Sequence, residues 1–414
     1  WKHAAEITQL ESPVRFCHAL AEMGPTFIKL GQILATRSDL FPPEWTVEFA
    51  KLQNHAPPVS FELICKQLHE DLGCSPQQAF AEFNPTPFAA ASIAQVHRAR
   101  LHDGAEVIIK VRRPGIMPVI EADLRLLARI AEVMESESPT LRRFRPREVV
   151  RQFTHSLRRE LDLLAECRNA ERVAKNFKSN PNIIIPKVYW SWCSERVNVQ
   201  EFIDGIAGRN VEAVEEAGLD RKLLAKYGGQ AALKMILIDG FYHADPHQGN
   251  IFYMPENRIA FIDFGMVGRL SFERRHQVVT LLHSMVDLDA PRVIDVLLTW
   301  AGDPPLNCEN LTFEVEEFVD KYHGVSLKNF HLSMMLTELI SLLREYGLSL
   351  PPDIIILIKA LIALEGVALQ LDPDFNMVSE AKPLLHQLML QRYAPDALAK
   401  RGWQAIVDTG ELLS

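Results

Sequence analysis

The chain has 414 residues, of which 48% are hydrophobic and 23% are charged, a composition typical of a folded protein with two to three domains. Its formal net charge of -9 disfavours a general nucleic-acid-binding role, because proteins that neutralise many phosphates usually carry a basic excess. The six cysteines include no C-x-x-C pair, so neither a disulfide framework nor a zinc site is predicted.

The first 80 residues are predicted to be helical. A helix is predicted because apolar residues recur at spacings of three, four and seven. These residues are Phe16, Leu20, Phe27, Leu30 and Leu34. The helix is expected to end at Pro42 and Pro43. A second helix is predicted from Phe61 to Leu72, ending at Gly73. Taken alone, Lys29 and Gln32 are polar positions of an ordinary amphipathic helix.

Strands are predicted from Ala89 onward. The runs "SIAQVHRARL" and "AEVIIKV" are separated by the turn-forming sequence His102-Asp103-Gly104, which predicts a hairpin. Charged helical stretches follow at about 117–135 and 146–177, and then strands in "NIIIPKVYWSWC" and "RVNVQEFI".

The rest of the chain is predicted to be mostly helical. A helix at about 211–239, a loop, a strand at about 259–263 and further helices follow. Strands and helices do not alternate as a doubly wound sheet requires, so an α+β fold is predicted. The apolar run that begins at Ile354 contains Lys359 and Glu365, and is predicted to be a buried core helix because a spanning helix needs about 20 residues with few charges.

The stretch "HADPHQGNIF", residues 243 to 252, contains the strongest chemical signal. Asp245 and Asn250 lie in a predicted loop, and Asp263 follows the buried-strand pattern "IAFI". Two carboxylates and an amide oxygen form a hard site suited to Mg²⁺ with phosphates completing the shell. The protein-kinase catalytic loop and its D-F-G have the same arrangement, with Asp-x4-Asn and Asp-Phe-Gly on either side of one short strand.

A lysine with apolar neighbours, Lys110 in "EVIIKV", is the second signal. Such a lysine is costly to bury without an anionic partner. The candidate partners are a phosphate or the acids Glu160, Asp162 and Glu166, which are expected to share or nearly share one helical face. The alternative is that Lys110 projects to solvent from an edge strand.

Two parts of an ordinary kinase are missing. The sequence has no G-x-G-x-x-G and no Walker motif, and "AAASIAQVH" stands just before the lysine strand. Because alanine has a Cβ, this loop cannot adopt glycine's positive φ angles freely. After Asp263-Phe264-Gly265 the chain enters a helical pattern with no A-P-E, so no activation segment is predicted to dock a peptide.

Other polar residues are predicted to be structural. His243 and His247 lack a third neutral metal ligand, and His243 is expected to brace Asp245 or Asp263. The basic run "RRFRPR", from Arg142 to Arg147, is interpreted as a solvated loop in preference to a contact with anionic lipid headgroups.

These motifs resemble the UbiB family of atypical, protein-kinase-like ATPases over nearly the whole chain. "KLGQ" (Lys29 to Gln32) is similar to the family's K-x-G-Q, and Glu160-Leu161-Asp162 is similar to its E-x-D. The alanine-rich loop, the lysine strand, "HADPHQGN" and "DFG" complete the set. The resemblance implies an α+β, bilobal, atypical kinase-like fold. It would have a helical extension over 1–86, an N-lobe with a helical insertion over 87–203, and a mostly helical C-lobe over 204–414.

The resemblance also implies roles for individual residues. Asp245 would orient or deprotonate the nucleophile, Asn250 and Asp263 would hold Mg²⁺, and Lys110, paired with Glu166, would hold the α- and β-phosphates. Lys29, Gln32, Glu160 and Asp162 would regulate the site from the extension and its neighbourhood. The nucleotide-binding loop and hinge would comprise Ala89, Ala90, Ala91, Ser92, Ile93, Ala94, Gln95, Val96, Gln200, Glu201, Phe202 and Ile203.

The implied activity is Mg²⁺-dependent ATP hydrolysis that supports ubiquinone biosynthesis at the cytoplasmic face of the bacterial inner membrane. The implied partners are ATP or ADP, anionic phospholipid, phenolic or isoprenoid quinone precursors and other ubiquinone-biosynthesis proteins, with no nucleic acid. The alternatives are a nucleotide-gated lipid-precursor binding module with little turnover, and a small-molecule or protein kinase. Family members usually carry C-terminal membrane segments, so we expect a chain running from Trp1 to Ser414 to be part of a longer protein.

Two positions depart from the family pattern. Gln248 stands where many relatives have proline, which restores a backbone N–H without affecting a central residue. Ala94 stands where many relatives have glycine, and this leaves the preference between ATP and ADP open.

Overall fold

The structure is a computed structural model that describes residues 11–35, 37, 40–52, 57–137, 142, 145–301, 308–322, 331–346, 348 and 350–393. The chain divides into two compact units, one comprising 1–219 with 243–267 and the other comprising 220–242 with 268–414. The three-part division at residues 86 and 203 stays a prediction.

The first unit contains nine α-helices among its described residues. They are α1 (Ser12–Met23), α2 (Pro25–Leu34), α3 (Pro43–Ala50), α4 (Phe61–Leu72), α5 (Pro76–Ala79), α6 (Ile116–Glu137), α7 (Pro146–Glu160), α8 (Leu163–Asn176) and α9 (Val211–Glu216). Its strands are β1 (Glu82–Phe83), β2 (Ala89–Ala90), β3 (Ala94–Arg100), β4 (Glu106–Arg112), β5 (Ile183–Ile184), β6 (Val197–Glu201), β7 (Ile206–Ala207), β9 (Ile251–Met254) and β10 (Arg258–Phe261). The division between the units falls within β8 (Phe241–His243) and β11 (Val267–Arg269).

The N-terminal helical region consists of the two helices α1 and α2, although one continuous helix was predicted. The break falls at Gly24, whose φ of 102° favours glycine, and Pro25 begins α2 because proline fits the first helical position but has no N–H for an interior one. The predicted apolar residues Leu20, Phe27 and Leu30 are buried against α6 and α7. The periodicity therefore identified most of the buried face, although Phe16 is 43% exposed, and the single continuous helix was wrong.

The main sheet has the antiparallel order β1-β3-β4-β6, with β2 also paired to β3. The predicted β3–β4 hairpin is confirmed, and Gly104 has a φ of 89° in its turn. Val107, Ile109 and Val111 of β4 pack with α4 on one face of the sheet. Because side chains alternate along a strand, Ile108 and Lys110 occupy the opposite face.

The predicted helix over 146–177 is interrupted at Leu161 and Asp162. The Asp162 carboxylate accepts a hydrogen bond from Leu164 N and caps α8, while Leu163 N donates to Glu195 O. Glu160 is consequently the last residue of α7, whereas Glu166 lies in the first turn of α8. The expectation that these acids share one helical face was wrong.

A second sheet in this unit has the order β5-β10-β9-β7. The strands β9 and β10 form an antiparallel hairpin between Asn250 and Asp263. The prediction of one short strand between these residues was wrong, because Ile251–Met254 is also extended and pairs with β10.

The basic run between residues 142 and 147 is partly described. Residues 143 and 144 lie outside the described residues. Arg145 has a φ of 47° and precedes Pro146, which begins α7. Arg147 pairs with Glu132 and Glu135 on α6, so part of this run's charge is neutralised within the protein.

The second unit is mostly helical in the part of it that the structure describes. It contains α10 (Arg221–Leu233), a π-helix (Lys234–Asp239), α11 (Phe272–Val286), α12 (Ala290–Ala301), α13 (Cys308–Lys321), α14 (Leu332–Glu345), α15 (Pro352–Leu371) and α16 (Met377–Tyr393). The single helix predicted over 211–239 is instead broken between α9 and α10. Gly218 has a φ of 68° at this break, and Asp220 caps α10 through Leu223 N.

Helix α15 is the apolar run that begins at Ile354. Within the described chain it is the one helix long and apolar enough to cross a membrane by length and composition, and 61% of its apolar segment is buried inside the protein. Glu365 on this helix is fully buried and accepts hydrogen bonds from Leu332 N and Ser333 N at the start of α14. These contacts agree with the predicted core helix.

Candidate active site

The first unit contains a cavity of about 500 Å³ beside the main sheet. Side chains of β3, β4 and β6 line it on one side, and the loops at residues 245–250 and 262–266 line it on the other. Lys110, Glu166, Asp245, Asn250 and Asp263 are all brought together there. The two segments that carry the sequence motifs therefore meet at one cavity.

Lys110 lies on β4, a strand flanked by β3 and β6, with Val96 and Asn198 as its register partners. Its Nζ donates to Glu166 Oε2 at 2.9 Å and to Asp263 Oδ2 at 3.4 Å. Burial disfavours the ammonium, but the carboxylates of Asp263 and Glu166 outweigh it and raise the pKa of Lys110. Lys110 therefore stays charged and does not project to solvent from an edge strand.

The two carboxylates beside Lys110 have different environments. Glu166 is 5% exposed, and burial raises its pKa to about 7 against the opposing influence of Lys110. The side chain of Asp263 is 45% exposed. Burial also acts to raise its pKa, but Lys110 and the Gly265 N–H are among the groups that outweigh it and hold this pKa at about 2. Asp263 is thus the more acidic carboxyl group of the pair and is ionised at neutral pH.

Asp263 is held by an unusual backbone conformation. Its φ is 59°, a left-handed value that is uncommon outside glycine, and its Oδ1 accepts a hydrogen bond from Gly265 N at 3.2 Å. Strained conformations of this kind cluster at functional sites. The strand β10, which ends two residues earlier, fixes where this carboxylate lies.

His243 joins the loop of Asp245 to the segment that precedes Asp263. Its Nδ1 accepts from Asp245 N at 3.1 Å, and its Nε2–H donates to Ile262 O at 2.9 Å. Burial lowers the pKa of His243, so the ring is neutral, as accepting at Nδ1 requires. The contact to Asp245 agrees with the structural role predicted for this histidine.

The oxygen donors fit a small hard cation. Asn250 Nδ2 donates to Asp245 O at 3.1 Å, and this bond does not use Asn250 Oδ1. Asn250 Oδ1 and the ionised Asp263 carboxylate are the oxygen ligands that Mg²⁺ prefers. The described residues contain no cluster of three or more His, Cys, Asp or Glu side chains that could hold a metal ion.

Of the four residues predicted to regulate the site, two line the cavity and two do not. Lys29 and Glu160 form an ion pair, and both line the cavity. Gln32 instead donates to Leu52 O at 3.0 Å, and Asp162 caps α8 and pairs with Arg168. Gln32 and Asp162 therefore hold the surrounding structure and do not line the cavity.

The alanine-rich loop lines the cavity only in part. The lining includes Ala89, Ala91, Ile93, Ala94 and Val96, but not Ala90, Ser92 or Gln95. Gln95 is fully buried, and its amide bonds to Val59 N at 2.8 Å and to His97 Nε2 at 3.0 Å. The predicted hinge residues Gln200, Glu201, Phe202 and Ile203 all line the cavity.

The structure adds residues that the motifs did not indicate. Asn198 and the exposed Phe88 also line the cavity. Asn198 carried a usable signal, because "VNVQE" alternates valine with polar residues and a period of two places Asn198 and Gln200 on one face. Other lining residues are Ile108, Pro186, Asp204, Gly205, His247, Gly249, Phe252, Ile262, Gly265 and Met266.

Two protein-family models match this chain. The family model of the ABC1 atypical kinase-like domain matches residues 51–297, and that of the UbiB helical domain matches residues 315–376. Proteins named "Probable protein kinase UbiB" from Pseudomonas paraeruginosa PA7 and Pseudomonas aeruginosa PAO1 are each 35% identical to this chain over 407 residues. These alignments cover 96% of this chain and 76% of each relative.

A solved structure shows the same fold. The Rv3197–erythromycin complex from Mycobacterium tuberculosis matches with a TM-score of 0.60, covering 88% of this chain and 93% of that chain at 22% identity. The predicted atypical kinase-like α+β fold is therefore confirmed. With a kinase-like domain match over more than half its length and UbiB relatives over nearly all of it, this chain belongs to the UbiB family of ABC1 atypical kinase-like proteins.

Proposed function

We propose that this protein binds Mg²⁺ and an adenine nucleotide and hydrolyses ATP in support of ubiquinone biosynthesis. The observation that carries the proposal is the placement of Lys110 between Glu166 and Asp263, in the cavity that Asp245 and Asn250 also line. An ionised carboxylate, an amide oxygen and a charged lysine are the groups that phosphoryl transfer needs around its phosphates.

Each group would have a separate role. Asn250 and Asp263 would hold Mg²⁺, which when bound neutralises charge on the phosphates. Lys110 would hold the α- and β-phosphates while Glu166 keeps its ammonium in position. Asp245, whose backbone is fixed by His243, would orient or deprotonate the attacking water.

Water is favoured as the acceptor by the segment that follows Gly265. Residues 266–271 connect Gly265 to α11, which begins at Phe272. Kinases that act on proteins use a longer activation segment after D-F-G. Although the Pseudomonas relatives are named probable protein kinases, this short connection supports hydrolysis over peptide phosphorylation.

The biological setting is proposed from the family. The UbiB name of the relatives supports a role in the ubiquinone pathway. We propose contact with anionic phospholipid and with phenolic or isoprenoid quinone precursors at the cytoplasmic face of the bacterial inner membrane. A comparison of phosphate release with and without lipid and precursor tests this part of the proposal.

The test is phosphate release from the purified chain with Mg-ATP. It compares wild type with Asp263→Asn and with the exposed hairpin variant Asp103→Asn, each with and without anionic liposomes and a phenolic quinone-precursor mimic. We expect the loss of activity in Asp263→Asn to exceed about 100-fold, because an electrostatic group in the reaction is removed. Asp103→Asn should retain activity.

Equal phosphate release by wild type and Asp263→Asn would contradict the ATPase proposal. Nucleotide binding without release would favour a nucleotide-gated module that binds or presents a lipid precursor. Release that liposomes and the phenolic compound leave unchanged would remove the support for those two partners.

A further inference from the structure

Two buried amide side chains on β6 each have one polar atom without a hydrogen-bond partner in the described part of the chain, although the Asn198 side chain also bonds to Glu166. Asn198 and Gln200 line the cavity and are 1% and 4% exposed. Asn198 Oδ1 and Gln200 Nε2 have no hydrogen-bond partner among the described residues. Buried polar groups are nearly always satisfied in native proteins, and each unsatisfied group costs free energy. A ligand that supplies the missing partners would remove this cost.

The strand register places the two amides at different depths of the site. Asn198 pairs with Lys110, whereas Gln200 pairs with Ile108. Gln200 therefore lies about 7 Å farther along the strand, on the side of the hinge residues, because a strand rises about 3.3 Å per residue. If the phosphates lie at Lys110, as in the proposed function, Gln200 faces the base and Asn198 faces the lysine and its carboxylate partners.

The chemistry of the Gln200 amide favours one class of base. A terminal amide has one donor and one acceptor side, and rotation about its last bond exchanges them. Glutamine forms a bidentate contact with the 6-amino group and N7 of adenine, which are a donor and an acceptor. A 6-oxopurine presents two acceptors at the same edge and satisfies only the amide nitrogen.

We propose that Gln200 is a specificity-determining residue that selects 6-aminopurine nucleotides over 6-oxopurine nucleotides. This inference rests on the proposed nucleotide site and adds the group that reads the base. The competing explanation is a buried water bonded to Gln200 and Asn198, which gives no discrimination between bases.

The test measures Mg²⁺-dependent binding of three diphosphates by calorimetry. They are ADP, GDP and purine riboside diphosphate, which lacks the 6-amino group. Wild type should prefer ADP over each by about three- to tenfold, the effect of one neutral hydrogen bond. Gln200→Leu and Gln200→Met should reduce this preference to near unity.

Gln95→Leu is the matched control. Gln95 is a buried amide of the same sheet, but its partners are Val59 and His97 and it does not line the cavity. This variant should keep the wild-type preference, and thermal unfolding establishes that each variant is folded. Two different substitutions at Gln200 guard against one that does not fold.

The outcomes separate this inference from the proposed function. If wild type binds nucleotides and either folded Gln200 variant keeps the full preference for ADP, the role of Gln200 is overturned while the nucleotide site stands. Equal binding of all three nucleotides by wild type also overturns it. A wild-type chain that binds no nucleotide overturns both.

Discussion

Glu166 and Asp263 both contact Lys110, but their carboxyl groups differ in burial and in pKa. Glu166 is nearly fully buried and its pKa is raised to about 7, whereas the half-exposed Asp263 has its pKa lowered to about 2. At neutral pH Asp263 is therefore ionised, whereas Glu166 takes up a proton more readily than an ordinary carboxyl group does. The carboxylate expected to hold the metal is therefore available as an anion at neutral pH.

The raised pKa of Glu166 predicts how stability depends on pH. A carboxyl group whose pKa is higher in the folded than in the unfolded chain binds more protons when folded. Its stabilising contribution is fully present below its ordinary pKa of 4.5 and is lost as pH rises through about 7. Between pH 5 and pH 8, wild type should therefore lose unfolding free energy relative to Glu166→Gln. Urea denaturation at unit intervals of pH measures this difference.

Glu171→Gln is the control for this measurement. Glu171 lies on the same helix, α8, but its side chain is 43% exposed and pairs with Lys175. Its pH profile should run parallel to that of wild type. A Glu166→Gln profile that also runs parallel to wild type would show that Glu166 is ionised throughout this range.

The helix α2 carries two polar residues with different partners, although they lie three positions apart. Lys29 pairs with Glu160 at the cavity, whereas Gln32 bonds to the backbone at Leu52. The helix is therefore connected both to the cavity and to the packing of its own extension. Only the first connection is expected to affect a bound nucleotide.

This difference predicts separate effects for two alanine variants. Lys29→Ala leaves the Glu160 carboxylate unpaired in the cavity, where it repels phosphates, and should weaken Mg-ADP binding about three- to tenfold. Gln32→Ala should leave affinity unchanged and lower the unfolding free energy by about 1 kcal/mol through loss of one hydrogen bond. Calorimetry and urea denaturation measure the two quantities.

A double variant provides the control for the charge argument. Lys29→Ala with Glu160→Gln removes both charges, so affinity should return close to the wild-type value. If Lys29→Ala binds Mg-ADP as tightly as Gln32→Ala does, the pair has no influence on the nucleotide and this face of α2 serves packing alone.

Over the whole molecule, the sequence predicted elements best where a short local pattern decides the structure. The β3–β4 hairpin and the helix Phe61–Leu72 were predicted from turn residues and from Gly73. The break at Leu161 and Asp162 was missed, because a contact with the distant Glu195 and a side-chain cap decide it. Interruptions of this kind depend on tertiary structure that periodicity does not contain.

The candidate site was predictable where a motif residue lies in a loop, just after a strand, or, like Lys110, among apolar residues inside a strand. Lys110, Asp245, Asn250 and Asp263 meet at the cavity as the spacing suggested. Gln95 does not, because side chains alternate on β3 and place it on the face opposite Val96. Resemblance to a family indicates which sequence positions belong to the site. The alternation of side chains along a strand decides which of these positions face the cavity.

The location of every site residue within one of the two units leads to a prediction for the whole molecule. All the described residues that line the cavity belong to the unit formed by 1–219 and 243–267. A ligand stabilises the part of a protein whose native state it binds. Mg-ADP should therefore slow amide hydrogen exchange at 89–112 and 197–203 and leave α14 and α15 of the other unit unchanged. Asp263→Asn should show weaker protection at the same strands, whereas equal slowing in α14 and α15 would mean that the units open together.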